Sequence, residues 1–255
     1  MIKAVGFDLW ETLITSPPEL SRRQETLRLN RLQDALSSLG QDSISRSNLE
    51  HAYREGWKRC YDLYWSADLD IPCRQQVVHL IELLNLEPDV LAEEAAVDRI
   101  ESAYVGGPLD DPPLLVPGAL ETISELKARG LGLGLISNTG RTPGSALREI
   151  LQFHQLAAHF DVMVFSDEHG ECKPRPSIFE RLASSLEVSP EELVFVGDHP
   201  WIDVSGAKLF GMKAVHFVPA VRGSAFAPDV SFETVPADAV ITDLRDLPAV
   251  IETLG

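Results

Sequence analysis

Six short runs decide what this chain can fold into: "IKAVGFDL" at 2–9, "LGLGLIS" at 131–137, "FDVMVFS" at 160–166, "ELVFVGD" at 192–198, "KAVHFV" at 213–218 and "DAVITDL" at 238–244. Each is close to continuously apolar rather than alternating. A strand with one wet face shows period two, whereas an uninterrupted apolar run marks a strand covered on both sides, as in parallel sheets. The stretches between supply the covers. "GALETISELKARG" at 118–130 has a Leu/Ile stripe at helical spacing, Lys127 and Arg129 in its last turn, and Gly130 as its stop. "PSIFERLASSLEVSPEEL" at 176–193 reads as a helix followed by a Ser-Pro turn, where Ser189 caps another short helical turn. Strand and helix alternating from about residue 115 predict an α/β fold with a doubly wound, Rossmann-like parallel sheet.

Residues 15–113 break this alternation. They hold no strand pattern but four stretches of helical spacing: "RRQETLRLNRLQDALSSLG", "NLEHAYREGWKRCYDLYWSA", "CRQQVVHLIELLNL" and "EEAAVDRIESAYV". Pro-rich segments bracket them, "TSPP" at 15–18 and "GGPLDDPPLLVPG" at 106–118, and neither can continue a helix. The expected organisation is therefore a core of residues 1–14 and 114–255 with an all-α cap of residues 15–113 inserted after the first strand. Within the cap, Tyr53, Trp57, Tyr61, Tyr64 and Trp65 recur every three or four residues and read first as a packed seam between helices. The alternative is a wall of the substrate pocket. Arg22, Arg23, Arg28 and Arg31 read as a solvated face from which one could reach down to an anionic substrate.

With 255 residues, 44% hydrophobic, the chain suits one large domain or a core with an insertion. Its net charge of −17 argues against nucleic acid and anionic membrane as partners. A small phosphorylated substrate stays compatible, because a few local cations and a divalent metal can reverse the field inside one pocket. No apolar run nears the roughly 20 residues a membrane span needs, and "MIKAVGFDLW" is too short for a secretory signal. Cys60, Cys73 and Cys172 are too scattered for a disulfide frame or a zinc site, so the expected compartment is the cytoplasm.

Chemistry-bearing residues gather at the carboxyl ends of the predicted strands, where open α/β sheets bind ligands. They are Asp8 in "FDLWETL", Ser137 in "LGLISNTG", Lys173 in "GECKPRPSIF", and Asp198 and Asp203 in "VFVGDHPWIDVSGA". An acidic pair after a strand-ending glycine suits Mg²⁺, which takes oxygen ligands and is usually held by one or two carboxylates plus phosphate and water. A lysine is a compact charge able to balance nucleophile and phosphate.

Together these segments resemble the haloacid dehalogenase superfamily over nearly the whole chain: "FD-x-x-x-TL", an apolar strand ending in "SN", "KP-x-P-x-IF", then "GD-x-x-x-x-D-x-x-GA". The resemblance implies that Asp8 is a nucleophile forming an aspartyl intermediate, with Ser137 and Lys173 completing the catalytic set. It places Trp10, Thr12, Asn138 and Thr139 around the substrate. It also implies Mg²⁺ as cofactor, held at Asp8, Asp198, Asp203 and the main-chain carbonyl of Trp10. A small phosphorylated or halogenated metabolite is the implied partner.

Trp10 is the departure. In the phosphatases of the superfamily that position is a second Asp, which protonates the leaving oxygen; its dehalogenases carry an aromatic there, because halide takes no proton. The acidic pair points the other way, since those dehalogenases work without metal. The main reading is an Mg²⁺-dependent phosphatase biased to activated leaving groups. The alternatives are a metal-independent 2-haloacid dehalogenase and a catalytically weak ligand-binding or interaction protein. Glu11 and His199 are the local residues that could replace the missing acid, although Glu11 is expected to point elsewhere and His199 to order its loop.

Overall fold

The computed structural model describes residues 1–86, 93–220 and 234–255. In chain order the strands are β1 (Ala4–Phe7), β2 (Ile14–Thr15), β3 (Leu114–Leu115), β4 (Gly132–Ser137), β5 (Val162–Phe165), β6 (Leu193–Gly197), β7 (Lys213–Phe217) and β8 (Ala239–Ile241). The longer helices are α1 (Pro18–Ser38), α2 (Arg46–Leu63), α3 (Cys73–Leu83), α4 (Glu94–Val105), α5 (Ala119–Ala128), α6 (Gly144–Phe153), α7 (Pro176–Ser185) and α8 (Leu247–Leu254).

Six strands form one parallel sheet in the order β5-β4-β1-β6-β7-β8. The chain winds outward from β1 to one edge and then from β6 to the other, so the order reverses between β1 and β6. This is the doubly wound, Rossmann-like fold that the apolar runs predict. Val5 lies opposite Leu133 and Val194, and Phe7 opposite Leu135 and Val196. All residues of β1 and β6 are buried. One apolar cluster joins Val5, Phe7, Leu133, Leu135, Val194 and Val196 to α5, α6 and α8. A second joins Ala4, Ile136 and Phe195 to α7. Both faces are therefore covered, and each large side chain so buried contributes about 1.5–3 kcal/mol. α5 stops where the sequence indicates, with Gly130 in the left-handed conformation at φ 80°. Ser189 and Glu192 form a reciprocal capping box on the turn after α7.

Helices α1 to α4 pack around their own cluster, which includes Leu29, Leu32, Leu36, Leu49, Val77, Leu80 and Ile100. α1 opens on Pro18, whose missing amide costs nothing at a first helical position. β2 and β3 pair antiparallel, Ile14 with Leu115 and Thr15 with Leu114, where the chain leaves the sheet and where it returns. The helical part also grips the core farther along. Leu69 bridges Glu171, the Asp70 amide donates to the Gly170 carbonyl at 3.0 Å, and the Cys172 amide donates to the Asp68 carbonyl at 2.8 Å.

Two expectations for the cap change. The arginine face is solvated except at one residue: Arg22, Arg23 and Arg31 are exposed, Arg23 pairing with Asp111 at 2.9 Å and Arg31 with Asp110, whereas Arg28 is buried with 7% exposure. The aromatic series is a seam only in part. Tyr53 meets Tyr104 of α4 edge to face, whereas Trp57 turns to the core, where Arg141 stacks on it at 4.6 Å. Among the described residues no helix is long and apolar enough to cross a membrane.

Candidate active site

The strand order reverses between β1 and β6, and open α/β sheets bind ligands beyond the carboxyl ends of the strands at such a point. Asp8 follows β1, Ser137 closes β4, and Asp198 follows β6. Lys173 arrives from the segment between β5 and α7. The structure brings these together. The Lys173 ammonium donates to Asp8 Oδ1 at 2.6 Å, to Asp203 Oδ1 at 2.8 Å and to the Ile136 carbonyl at 3.2 Å. Thr12 Oγ1 donates to the other Asp8 oxygen at 2.8 Å. Asp8, Asp198 and Asp203 each present a carboxylate oxygen within 4.8 Å of the others, so the donor set suits a hard divalent cation.

Burial governs the electrostatics. Loss of water pushes the Asp8 carboxyl up to about 6, and the Asp203 charge adds to that rise. Lys173 and the Thr12 hydroxyl pull in the opposite direction. Burial alone would lower the Lys173 ammonium, but Asp203 and Asp8 more than offset it and hold it above its ordinary value. The lysine therefore stays charged and fixes both acids in place.

Asp203 owes its position to a glycine. Its second oxygen accepts from the His199 amide at 2.9 Å, and a Cβ on Gly197 would lie 2.4–2.5 Å from its side-chain atoms. Gly197→Ala is expected to destabilise the fold by about 1–3 kcal/mol by overpacking and to dislodge Asp203 from Lys173. The denaturant midpoint and the turnover rate measure the two effects.

The remaining predicted residues take distinct places. Asn138 is a brace: its side chain donates to the Lys173 carbonyl and accepts from the Lys173 amide. The Thr139 amide is engaged by Ser166 Oγ at 2.9 Å. Ser137 Oγ is fully buried and has no hydrogen-bond partner among the described residues. A buried hydroxyl left unpaired costs about 1–3 kcal/mol, which fits a ligand oxygen at this point. Trp10 is half-buried and packs on the apolar cluster beneath β1. Glu11, at φ 62°, turns its carboxylate to the Thr15 hydroxyl at 2.9 Å. His199 Nδ1 accepts from the amides of Trp201 and Ile202, so the ring caps the following turn.

Sequence reasoning missed Asp70 and Ser166. Asp70 comes from the helical part and is buried, and burial raises its carboxyl. It accepts from Trp65 Nε1, the Ile71 amide, Ser166 Oγ and Thr139 Oγ1. Ser166 stands just beyond β5, the same signal that marks Ser137, and could have been found by it. Asp70 lies in an irregular loop with no such signal.

A family model for haloacid dehalogenase-like hydrolases matches residues 2–211. A glyceraldehyde 3-phosphate phosphatase from Pyrococcus furiosus is 37% identical over 98% of this chain and 93% of its own length. Among solved structures, a 2-haloacid dehalogenase from Pseudomonas syringae pv. Tomato superposes over 100% of both chains with a TM-score of 0.72 and 26% identity. An HAD phosphatase from Thermococcus onnurineus superposes over 98% of both with a TM-score of 0.59 and 26% identity.

Proposed function

The chain belongs to the haloacid dehalogenase-like hydrolases, and from that footing we propose that it is an Mg²⁺-dependent phosphatase. Asp8 is its nucleophile, and it favours phosphates whose leaving group departs without a proton. The observation that carries this reading is the convergence of Asp8, Asp198 and Asp203 within 4.8 Å beside a charged lysine. A metal-free displacement of halide needs Asp8 but has no use for Asp198 beside it.

Asp8, Asp198 and the Trp10 carbonyl would hold the ion, with Asp203 behind them. When bound, Mg²⁺ supplies positive charge against the phosphoryl oxygens. The protein's own groups do the rest. An Asp8 oxygen attacks phosphorus, and the bond from phosphorus to the leaving oxygen breaks as that oxygen takes the electron pair. Lys173 keeps Asp8 oriented and offsets the charge of the approaching phosphate. Ser137 Oγ donates to a non-bridging oxygen and thereby gains the partner it lacks. Water then attacks the aspartyl-phosphate at phosphorus, releasing inorganic phosphate and restoring the Asp8 carboxylate.

Trp10 sets the selectivity. Without an acid at residue 10, an aryl or acyl leaving group, already a weak base, departs readily, while a simple alkoxide does not. A phosphate such as the one in the archaeal relative's name has the less suitable leaving group. The test is metal removal. Aryl phosphate turnover is expected to fall by at least about 10²-fold in chelator and to return with added Mg²⁺; turnover indifferent to chelator would overturn the reading. One observation favours dehalogenation instead: an aromatic at residue 10 in a chain that superposes on a 2-haloacid dehalogenase. Chloride release from a short 2-haloacid in chelator would establish that alternative.

A further inference from the structure

Among the described residues, Arg28 and Arg141 are two cations without an acid. Arg28 is 7% exposed, and among the described residues its guanidinium meets the Tyr53 hydroxyl at 3.0 Å, Thr142 Oγ1 at 3.3 Å and the face of the Tyr104 ring at 5.8 Å, while its Nε has no partner. Arg141 donates to the Tyr53 carbonyl at 2.6 Å and stacks on the Tyr53 ring at 3.7 Å; its Nε is likewise buried and unpartnered. Among the described residues neither forms an ion pair. The nearby Asp70 carboxylate is committed to Trp65, Ser166 and Thr139. Buried charge is costly unless an opposite charge meets it, and a guanidinium matches a carboxylate in both charge and shape.

The place is as telling as the charge. Thr142, which holds Arg28, donates its amide to the Thr139 carbonyl in a tight turn. Such a turn keeps its ends within about 7 Å, and Ser137 stands two residues before Thr139, at most about 7 Å away. A molecule of a few carbons, met by the length of an arginine side chain, covers that interval. We propose that Arg28, with Arg141 beside it, seats a carboxylate of the substrate, so that the molecule hydrolysed carries an anionic group besides its phosphate. This rests on the phosphatase reading above and narrows it to phosphorylated carboxylic acids.

Calorimetry with unreactive phosphonates in Mg²⁺ separates the two claims. Phosphonoacetate and 3-phosphonopropionate carry both groups; methylphosphonate and ethylphosphonate lack the carboxylate. At least one carboxylated compound is expected to bind about tenfold or more tightly than the alkylphosphonate of its own length. That ratio is expected to fall toward one in Arg28→Met. Equal affinities in the unaltered protein, or a preference that survives Arg28→Met, would overturn the proposal while leaving the phosphatase reading intact. If no phosphonate and no inorganic phosphate binds, both fall together. Should Arg28→Met fail to fold, Arg141→Met takes its place: a reduced ratio supports the seat and an unchanged one overturns it.

Discussion

Asp8→Asn is expected to lower aryl phosphate turnover by roughly 10⁴-fold or more, the scale seen when a nucleophile that forms a covalent intermediate is removed. An amide in that place is a poor nucleophile, and Lys173, Ser137 and the acidic pair then surround a group that cannot be phosphorylated. The loss is expected without unfolding. The folded carboxyl, held up at about 6 by burial, lies above its unfolded value of 3.8. Its contribution to stability is therefore present in full below pH 3.8 and is lost as pH rises through about 6. The amide removes that dependence. In chelator, Asp8→Asn is expected to be the more stable protein at pH 8, by a few kcal/mol at most. Denaturant melts at pH 5 and pH 8 beside a turnover assay measure both effects. Residual turnover within tenfold of the unaltered protein would move the nucleophile elsewhere.

The second large effect is a gain. Trp10→Asp is expected to raise turnover of a simple alkyl phosphate by about 10²–10⁴-fold, the contribution of a positioned general acid. The same change is expected to flatten the dependence of rate on leaving-group basicity, because a protonated departure is less sensitive to it. Trp10 packs on the apolar cluster under the sheet, so the variant gives up contact area and some stability. Circular dichroism therefore accompanies the rates. A folded variant with no alkyl gain would show that the residue 10 side chain does not reach the leaving oxygen.

The legible features and the hidden ones divide on a physical line. The apolar runs announce the sheet because burial on both faces leaves few positions for a polar residue. The same sheet turns sequence placement into spatial placement, since a residue just past a buried strand stands at its carboxyl edge. Asp8, Ser137 and Asp198 were legible for that reason. Lys173 and Asp203 were found through the pattern of their neighbours, and only the structure shows one bridging the other to Asp8. Arg28 was misread because a helix face rich in arginine looks wet until the partner surface is known. Its burial depends on Thr142, 114 residues away. Asp70 was invisible for the same reason: its partners Thr139 and Ser166 come from two other segments. The β2–β3 pair, two residues long on each side, is too short to stand out among prolines.

The position of β1 has a consequence for the ribosome. The strand of this sheet that is synthesised before the other five occupies its middle, between β4 and β6, with Ala4 beside both Gly132 and Leu193. Translation runs at about 5–20 residues per second, so the second of those neighbours emerges roughly ten to forty seconds after the first strand does. Throughout that interval an oily, hydrogen-bond-hungry tetrapeptide trails outside the exit tunnel with one flank or both unmatched. The nascent chain thus holds Asp8, one residue past that strand, outside its final surroundings until the last third is made.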